Sequence, residues 1–539
     1  MKTIPLLFAL LCSIHYSIGQ WTPDTHVNTL VVDSAGSDLD AVSLSDGSTA
    51  VVFWESVSAP VHYELRLQVL DVDGHQQLGN DGVLISNTIP MSTHIVVWSL
   101  TVDSDDNIYI GVTGTSNNGA YGFKVDKNGN HLWNSNGINV GTGNVVRILP
   151  LSSGDAIISW YEGPAGLMQK FSSAGNAIWP NPIAIEAGGG SVVPADGFEM
   201  SDGGHIRIFH KVTFGINSNL FAQRYNSNGV AQWTNPTQLA TLGTQFIKEY
   251  SGTQDGDVVY YGYSLIDGMR FDSFLQRINP DGSLPWGVNG VDFDTNQTNY
   301  EMETSIAFEP SSNYLWAICT YTDTSQGQKG EYVQKFDKTT GERQFTNNAK
   351  MLFGLSNEPK VHDGDLRLLN NQPFFVIRDG FDNGASPVTL HAVYLDENGD
   401  FAWQEETKPV ATYEAAKSRT VFTQPVNGQS VAVFIEHKNG YPSDRIFAQN
   451  IVEQAASIHN SILGVSLSYN NPITEVLKLE CNAEILKVEI SDINGKIIFQ
   501  ASASGNKSLV VPTENWASGS YFLFVETTLG DVRGIKLVR

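Results

Sequence analysis

The sequence predicts an all-β chain: an eight-bladed β-propeller followed by a small C-terminal β-sandwich. A strand-and-turn pattern repeats through most of the chain, the composition suits short strands, and the two ends of the repeat region carry complementary fragments of the pattern. The 539 residues exceed one ordinary core of ~100–200 residues. Charged residues make up 17%, aromatics 10%, and there are 50 glycines, a mix that favours tight turns over long surface helices. The formal net charge of −25 repels phosphate, which argues against nucleic acid and anionic membrane surfaces as partners. With only Cys12, Cys319 and Cys481, a disulfide scaffold is excluded.

Residues 1–19 read as a secretory signal peptide. Lys2 precedes an apolar run from Ile4 to Cys12, and Ser17 and Gly19 supply the small residues before a cut at Gln20. The run is shorter than the ~20 residues a membrane-spanning helix needs. No later segment is long and apolar enough to anchor the chain.

Residues 20–452 carry the repeat. Each copy is an amphipathic strand, a turn with glycine at a set place, and often a tryptophan three or four residues later. The turn glycines are Gly74, Gly129, Gly175, Gly229, Gly282, Gly341 and Gly399, spaced 55, 46, 54, 53, 59 and 58 residues apart. Trp133, Trp179, Trp233, Trp286 and Trp403 follow their glycines, with Leu78 and Phe345 in the two other copies. Upstream of each lies a second turn and an apolar strand, as in Asp46-Gly47 before Ala50-Val51-Val52-Phe53-Trp54. An eighth copy, Ile446-Phe447-Ala448-Gln449-Asn450, lacks the glycine turn and the tryptophan. Trp21 and the strand-like Val27 to Val32 look like the missing end. A ring closed by that N-terminal strand accounts for both fragments and protects its edges. Eight units of ~54 residues each hold four short strands apiece. Seven blades follow instead if the copy around Gly341 is an insertion, and a solenoid or a chain of sandwiches is the remaining alternative.

Residues 453–460 read as a linker and 461–539 as a separate β-sandwich. Seven short strands are predicted there: Leu463–Leu467, Val476–Leu479, Leu486–Ile490, Lys496–Gln500, Lys507–Val511, Tyr521–Glu526 and Val532–Val538. Asn494-Gly495 marks a hairpin turn, and alternation places Leu486, Val488 and Ile490 on the buried face.

Four motifs occur here in order: Tyr469-Asn470-Asn471-Pro472, then Asp492-Ile493-Asn494-Gly495-Lys496, then Gly519-Ser520-Tyr521, then the closing Gly534-Ile535-Lys536-Leu537-Val538-Arg539. The module resembles the C-terminal sorting domain of proteins exported by the type IX secretion system of Bacteroidota. In that family the opening motif is Tyr-Pro-Asn-Pro, so Asn470 departs from it. The resemblance implies that Tyr469, Asn471, Pro472, Asp492, Gly495, Lys496, Gly519, Tyr521 and Lys536 belong to the sorting motif. It further implies that the secretion machinery is a partner and that the mature protein lies outside the cell or on its surface.

The chemistry-bearing residues single out no catalytic, cofactor or metal set. His205 and His210, five apart on a strand, face opposite ways. Asp-rich turns such as Asp71-Val72-Asp73-Gly74, Asp103-Ser104-Asp105-Asp106, Asp126-Lys127-Asn128-Gly129 and Asp396-Glu397-Asn398-Gly399 hold some of the oxygens calcium uses. The equivalent turns Ser172-Ser173-Ala174-Gly175 and Asn226-Ser227-Asn228-Gly229 lack those acids, so turn capping is the reading preferred over scattered calcium binding. Gln169, Gln223, Gln276 and Gln334, each followed by Lys170, Arg224, Arg277 or Lys335, recur as a packing element, with a binding face as the alternative.

Two functions stay open. The first is a non-enzymatic surface propeller binding glycan or protein through its loops, with Tyr161, Phe214 and Tyr441 as candidate exposed aromatics. The second is a secreted enzyme degrading polysaccharide or peptide, which requires converging carboxylates near the centre of the ring. Binding is favoured because the catalytic motifs are missing.

Overall fold

The computed structural model describes residues 21–452 and 467–539, apart from 23, 35, 59–62, 90–95, 115–118, 187–190, 213–217, 245–249, 382–385, 471–472, 474–475, 493–495, 518 and 529. The expected leader (1–19) and linker (453–460) lie outside the described residues. Among the described residues every regular element is a strand, and none holds a helix long and apolar enough to cross a membrane. The chain divides into two units, Met1–Ile451 and Val452–Arg539.

The first unit is propeller-like. Gly36–Ser43, Thr49–Ser56, Tyr63–Leu70 and Val83–Ser86 pair in chain order as a four-stranded antiparallel meander. The same order recurs from Val97–Val102 to Ile138–Gly141, from Asn144–Pro150 to Ile183–Ala184, and from Tyr300–Phe308 to Lys350–Ser356. Ser191–Glu199 to Val291–Asp292 holds two more meanders, joined through Gly243–Thr244 into one nine-stranded sheet. In the sheet ending at Lys408–Ala415 the first strand is split into Lys360–His362 and Arg367–Leu369, both paired with Gln372–Asp379. The last sheet takes Lys417–Phe422, Gln429–Glu436 and Arg445–Val452 from its own stretch of chain. Its fourth strand is Thr29–Leu30 from the other end, with Thr29 opposite Ala448 and Leu30 opposite Phe447.

The middle strands explain their own burial. Ala50, Val51, Val52, Phe53 and Trp54 are all fully buried, so both faces of this strand are covered, as in sheets stacked between neighbours. The repeated turn that follows the third strand is capped from its first side chain. Asp71 Oδ1 accepts the amides of Asp73 and His75. Asp126 does the same for Asn128 and Asn130, Asp396 for Asn398 and Asp400, and Asn226 for Asn228 and Val230. Asp and Asn are interchangeable in this role because each presents one oxygen to two backbone amides.

The turn glycines meet a second demand. Each has positive φ, from +71° to +85°, and the space a Cβ would fill is taken by the neighbouring repeat. A Cβ on Gly175 would lie 2.9 Å from Trp133, on Gly282 2.9 Å from Trp233, and on Gly399 2.9 Å from Phe345. The tryptophan also donates its indole N–H to the carbonyl two residues before the glycine: Trp133 to Ser173 at 3.2 Å, Trp179 to Ser227 at 3.3 Å, Trp233 to Pro280 at 3.1 Å and Trp286 to Thr339 at 3.2 Å. Trp21 makes the equivalent bond to Val72 at 2.8 Å and lies against Gly74. Trp403 precedes the one repeat that lacks the glycine turn, and it packs on Tyr394 and Phe374 of its own sheet instead.

The recurring glutamines are internal brackets. Gln169 and Gln223 donate to the carbonyls of Trp179 and Trp233, Gln334 to that of Thr346, and Gln449 reaches across the chain ends to Thr22. Their cationic neighbours are also engaged: Lys170 pairs with Asp155, and Arg224 with Asp202.

The second unit is β-sandwich-like but has five described strands, not seven: Leu467–Tyr469, Val476–Asp492, Ile497–Pro512, Ser520–Thr527 and Gly530–Val538. Two predicted pairs run on as single strands. Polar Glu480, Asn482 and Glu484 look like a break in the sequence, yet alternation continues through them, with Leu477, Leu479, Cys481, Ala483 and Ile485 buried. Leu486 is a correction. It is exposed, because the register shifts between Ile485 and Lys487; the extra residue of that bulge leaves the core face, and burial resumes at Val488 and Ile490.

Gly282→Ala and Gly154→Ala separate the two demands on glycine. Both positions have φ +83°, but at Gly154 the nearest atom to a Cβ is an ordinary 3.8 Å away. Denaturant melts should show Gly154→Ala costing about 1–2 kcal/mol and Gly282→Ala at least ~1 kcal/mol more. Equal losses would remove the tryptophan contact from the account.

Candidate functional site

The first strands of the sheets depart from regular pairing in a repeated way. Register shifts fall between Gly36 and Asp38, Val97 and Ser99, Asn144 and Arg147, Pro194 and Gly197, Met302 and Ser305, and Ser418 and Val421. Val145, Glu303 and Arg419, inside three of these bulges, have φ of +53°, +56° and +55°. The left-handed region is unfavourable for side chains of this kind, most of all for β-branched valine, and such strain concentrates at binding sites. Bulges re-aim the side chains that follow them.

Residues on or beside the first strands of several sheets line two cavities. One, of about 350 Å³, is bounded by Asp196, Phe198, Ser251, Phe308, Asp365 and Arg367 among others. The other, of about 280 Å³, is bounded by Asp40, Arg147, Asp196, Asp365, Thr420 and Phe422. Asp196 and Asp365 belong to both. The Tyr261 hydroxyl donates to Asp196 at 2.8 Å. Arg367 donates to Asp365 at 2.8 Å and to the Phe422 carbonyl at 2.9 Å. Behind Gly197 lies Arg207, fully buried; a Cβ at Gly197 would fall 2.8 Å from its guanidinium. Burial pulls Arg207 down to about 10, against the opposing attraction of Asp196. The arrangement is a polar pocket with carboxylate acceptors, guanidinium donors and aromatic walls. It suits a ligand rich in hydroxyl groups.

Sequence reasoning singled out no member of this pocket. The signal lay in acids next to glycine in or beside the first strands, Asp196-Gly197 and Gly364-Asp365, where a missing Cβ opens space.

The residues that were singled out lie elsewhere. His205 and His210 are both buried, His205 stacked on Tyr225 and His210 beside the hydroxyls of Ser218 and Thr244. Burial holds both below the ordinary imidazole range, His210 at about 3. Tyr161 is a half-buried strand residue whose hydroxyl meets Ser191, and Tyr441 packs edge-on against Phe447. Phe214 lies outside the described residues. Of the sorting motif, Tyr469 and Tyr521 are buried, and Asp492 caps its turn by accepting the Lys496 amide at 3.0 Å. Gly519 pairs with Arg539 through both backbone bonds, and Lys536 pairs with Phe522. Asn471, Pro472 and Gly495 lie outside the described residues. Asn470, in the proline's place, accepts the Lys478 amide and donates to the Val476 carbonyl.

Two buried ionic groups lie in the pocket's sheets, one within the last sheet and one between two sheets. Glu436 holds Lys417 at 2.9 Å and Lys438 at 3.2 Å, and Lys438 also donates to the carbonyls of His26 and Val27 in the N-terminal segment. Glu331 holds His362 at 3.0 Å and accepts its amide at 2.9 Å. Burial alone would lower the imidazole; Glu331, with help from Glu303 and Asp363, outweighs it and raises His362 from 6.5 to about 9. A group raised on folding stabilises fully below its unfolded value and loses that effect as pH rises through the folded one. Stability should therefore fall by on the order of 3 kcal/mol between about pH 6.5 and pH 9. His362→Gln should flatten that part of the melting-temperature profile, and an unchanged slope would contradict the charged pair.

Residues 468–537 match the family model described as a secretion system C-terminal sorting domain. The sorting domain is present, and the protein is a secreted or cell-surface protein of Bacteroidota type. No curated protein matches the sequence. Among solved structures, the chain is similar to hydrazine synthase of Kuenenia stuttgartiensis, at 12% identity over 57% of this chain and 80% of that one, with a TM-score of 0.34. It is also similar to a protein of unknown function from Dyadobacter fermentans (12%, 57% and 93%, TM-score 0.34). A third likeness is to prolyl oligopeptidase B from Galerina marginata (11%, 76% and 56%, TM-score 0.39). Likenesses this distant carry no argument about activity.

Proposed function

We propose that residues 21–452 form a closed eight-bladed propeller that binds a glycan in its central pocket, and that the C-terminal domain delivers it through the type IX secretion machinery. The eight-blade reading is supported by the eight four-strand meanders of the first unit, among them a full sheet around Gly341. Closure is supported by Thr29–Leu30 completing the last sheet and by Trp21 repeating the inter-repeat clamp on Val72.

The observation that carries the binding reading is the pair of cavities sharing Asp196 and Asp365. Carboxylates and guanidinium groups bond sugar hydroxyls, while Phe198 and Phe308 offer walls for the apolar faces of a sugar ring. A second reading, a polysaccharide-degrading enzyme, draws on the same carboxylates, since paired acids are what glycoside hydrolysis uses. Binding is preferred because the sequence carries none of the catalytic motifs, while Tyr261 and Arg367 hold Asp196 and Asp365 in place at the pocket wall.

Asp196→Asn and Asp365→Asn, alone and together, test this on a glycan array with the full-length protein. Each should weaken binding by roughly 1–3 kcal/mol, the loss expected for one charged hydrogen bond. Array binding unaffected by both changes would remove the pocket, and turnover of a bound polysaccharide would replace binding with catalysis. For export, deleting residues 461–539 should leave the protein in the periplasm; normal amounts of the truncated protein outside the cell would refute the sorting role.

A further inference from the structure

We infer that Asp292, Asp294 and Glu301 form a site for a divalent cation of the calcium type, bridging the strand Val291–Asp292 and the strand Tyr300–Phe308 of the next sheet. One carboxylate oxygen from each lies within 4.8 Å of the others. Oxygens bound to a single calcium at 2.3–2.6 Å can be no more than about 5 Å apart, so the spacing is that of one coordination shell. Asp294 and Glu301 are fully buried and Asp292 is half-buried.

A second observation points to a missing partner. Glu301 Oε1 is shut off from solvent with no N–H or O–H donor bonded to it; the Glu301 carboxyl lies against that of Asp294, and Oε2 accepts the Ser273 amide at 3.2 Å. The nearest cation, Arg270, stands 3.9 Å from Oε1, outside hydrogen-bonding distance. Its guanidinium is committed to Asp272 and to the carbonyls of Asn296 and Asn299. Arg343 points at the Asp292 and Asp294 carbonyls rather than their carboxylates. A buried carboxylate oxygen without a donor is strongly unfavourable, and a cation between the three acids supplies what Glu301 lacks.

The donor set selects the kind of ion. It consists of hard oxygens, and the Tyr321 hydroxyl bonds Asp294 from behind. The thiol of Cys319, fully buried in the same neighbourhood, is turned to the Met302 carbonyl. Without sulfur or imidazole the set fits calcium better than zinc. Asp292 also lines an open cavity of about 520 Å³ with Glu342, Arg343 and Asn347, which provides the entry path. The other close acidic group among the described residues, Asp71, Asp73 and His75, differs in kind. None of its three residues is buried, and it holds no buried oxygen that lacks a donor.

Calcium alone is the probe. Full-length protein stripped with a chelator is titrated with calcium while its melting temperature is followed, and with terbium while emission is excited through tyrosine, which Tyr321 is placed to sensitise. The expected result is a higher melting temperature with calcium and a terbium signal that calcium displaces. Asp294→Asn and Glu301→Gln should each bind at least ~10-fold more weakly, while Asp71→Asn should bind as the unaltered protein does. Stripped protein that shows neither a melting shift nor terbium emission at millimolar metal overturns the inference. So does a folded Glu301→Gln variant with undiminished affinity. If either buried substitution prevents folding, the titration of the unaltered protein still decides.

Discussion

Most joints between the repeats of the first unit depend on one contact, an indole ring laid on a turn that has no Cβ. The glycine supplies two things no other residue combines: a backbone with positive φ at little steric cost and a flat surface for the ring. The indole N–H then bonds a carbonyl of the same turn, so the contact fixes both distance and orientation between consecutive repeats. Because the ring comes from one repeat and the glycine from the next, the sheets joined in this way position one another; Val83 and Phe345 take the ring's place against Gly129 and Gly399. Trp21 places the N-terminal segment against Gly74 by the same rule.

This frame explains where strain and charge are tolerated. Sheets clamped at their outer turns can hold bulged first strands, with Val145, Glu303 and Arg419 in an unfavourable backbone region, because the surrounding packing over-determines them. The buried ion pairs follow the same logic. Glu331 with His362 joins two neighbouring sheets, while Glu436 faces Lys417 across paired strands of the last sheet and holds Lys438, which reaches the N-terminal segment. Burying such charges is unfavourable unless each finds its partner. The geometry is therefore specific: it selects which strand meets which.

The repeat, its turn glycines and its tryptophans were legible in the sequence because they are local. A capped turn needs Asp or Asn at its start and Gly at its end, a few residues apart, and the pattern survives even where the acids are replaced, as at Ser172. The export module was legible for the same reason, through short motifs in fixed order. The pocket was not. Asp40, Arg147, Asp196 and Asp365 stand in different repeats, the first three on strands and Asp365 between two, and each alone looks like any polar residue of a β-protein. Leu486 shows the limit within a single strand: alternation predicts its burial, and only the pairing partners reveal the bulge that turns it outward.

The sequence by itself determined the all-β class, the repeat period, the turn chemistry and the presence of a C-terminal sorting module. Each of these is written in residues close together along the chain, where propensity and periodicity act. The tertiary structure alone decided which side chains of the separate sheets converge and which buried acids come within one coordination shell. Those outcomes depend on register and on the angle between sheets, and such distances are set only when the separate repeats pack.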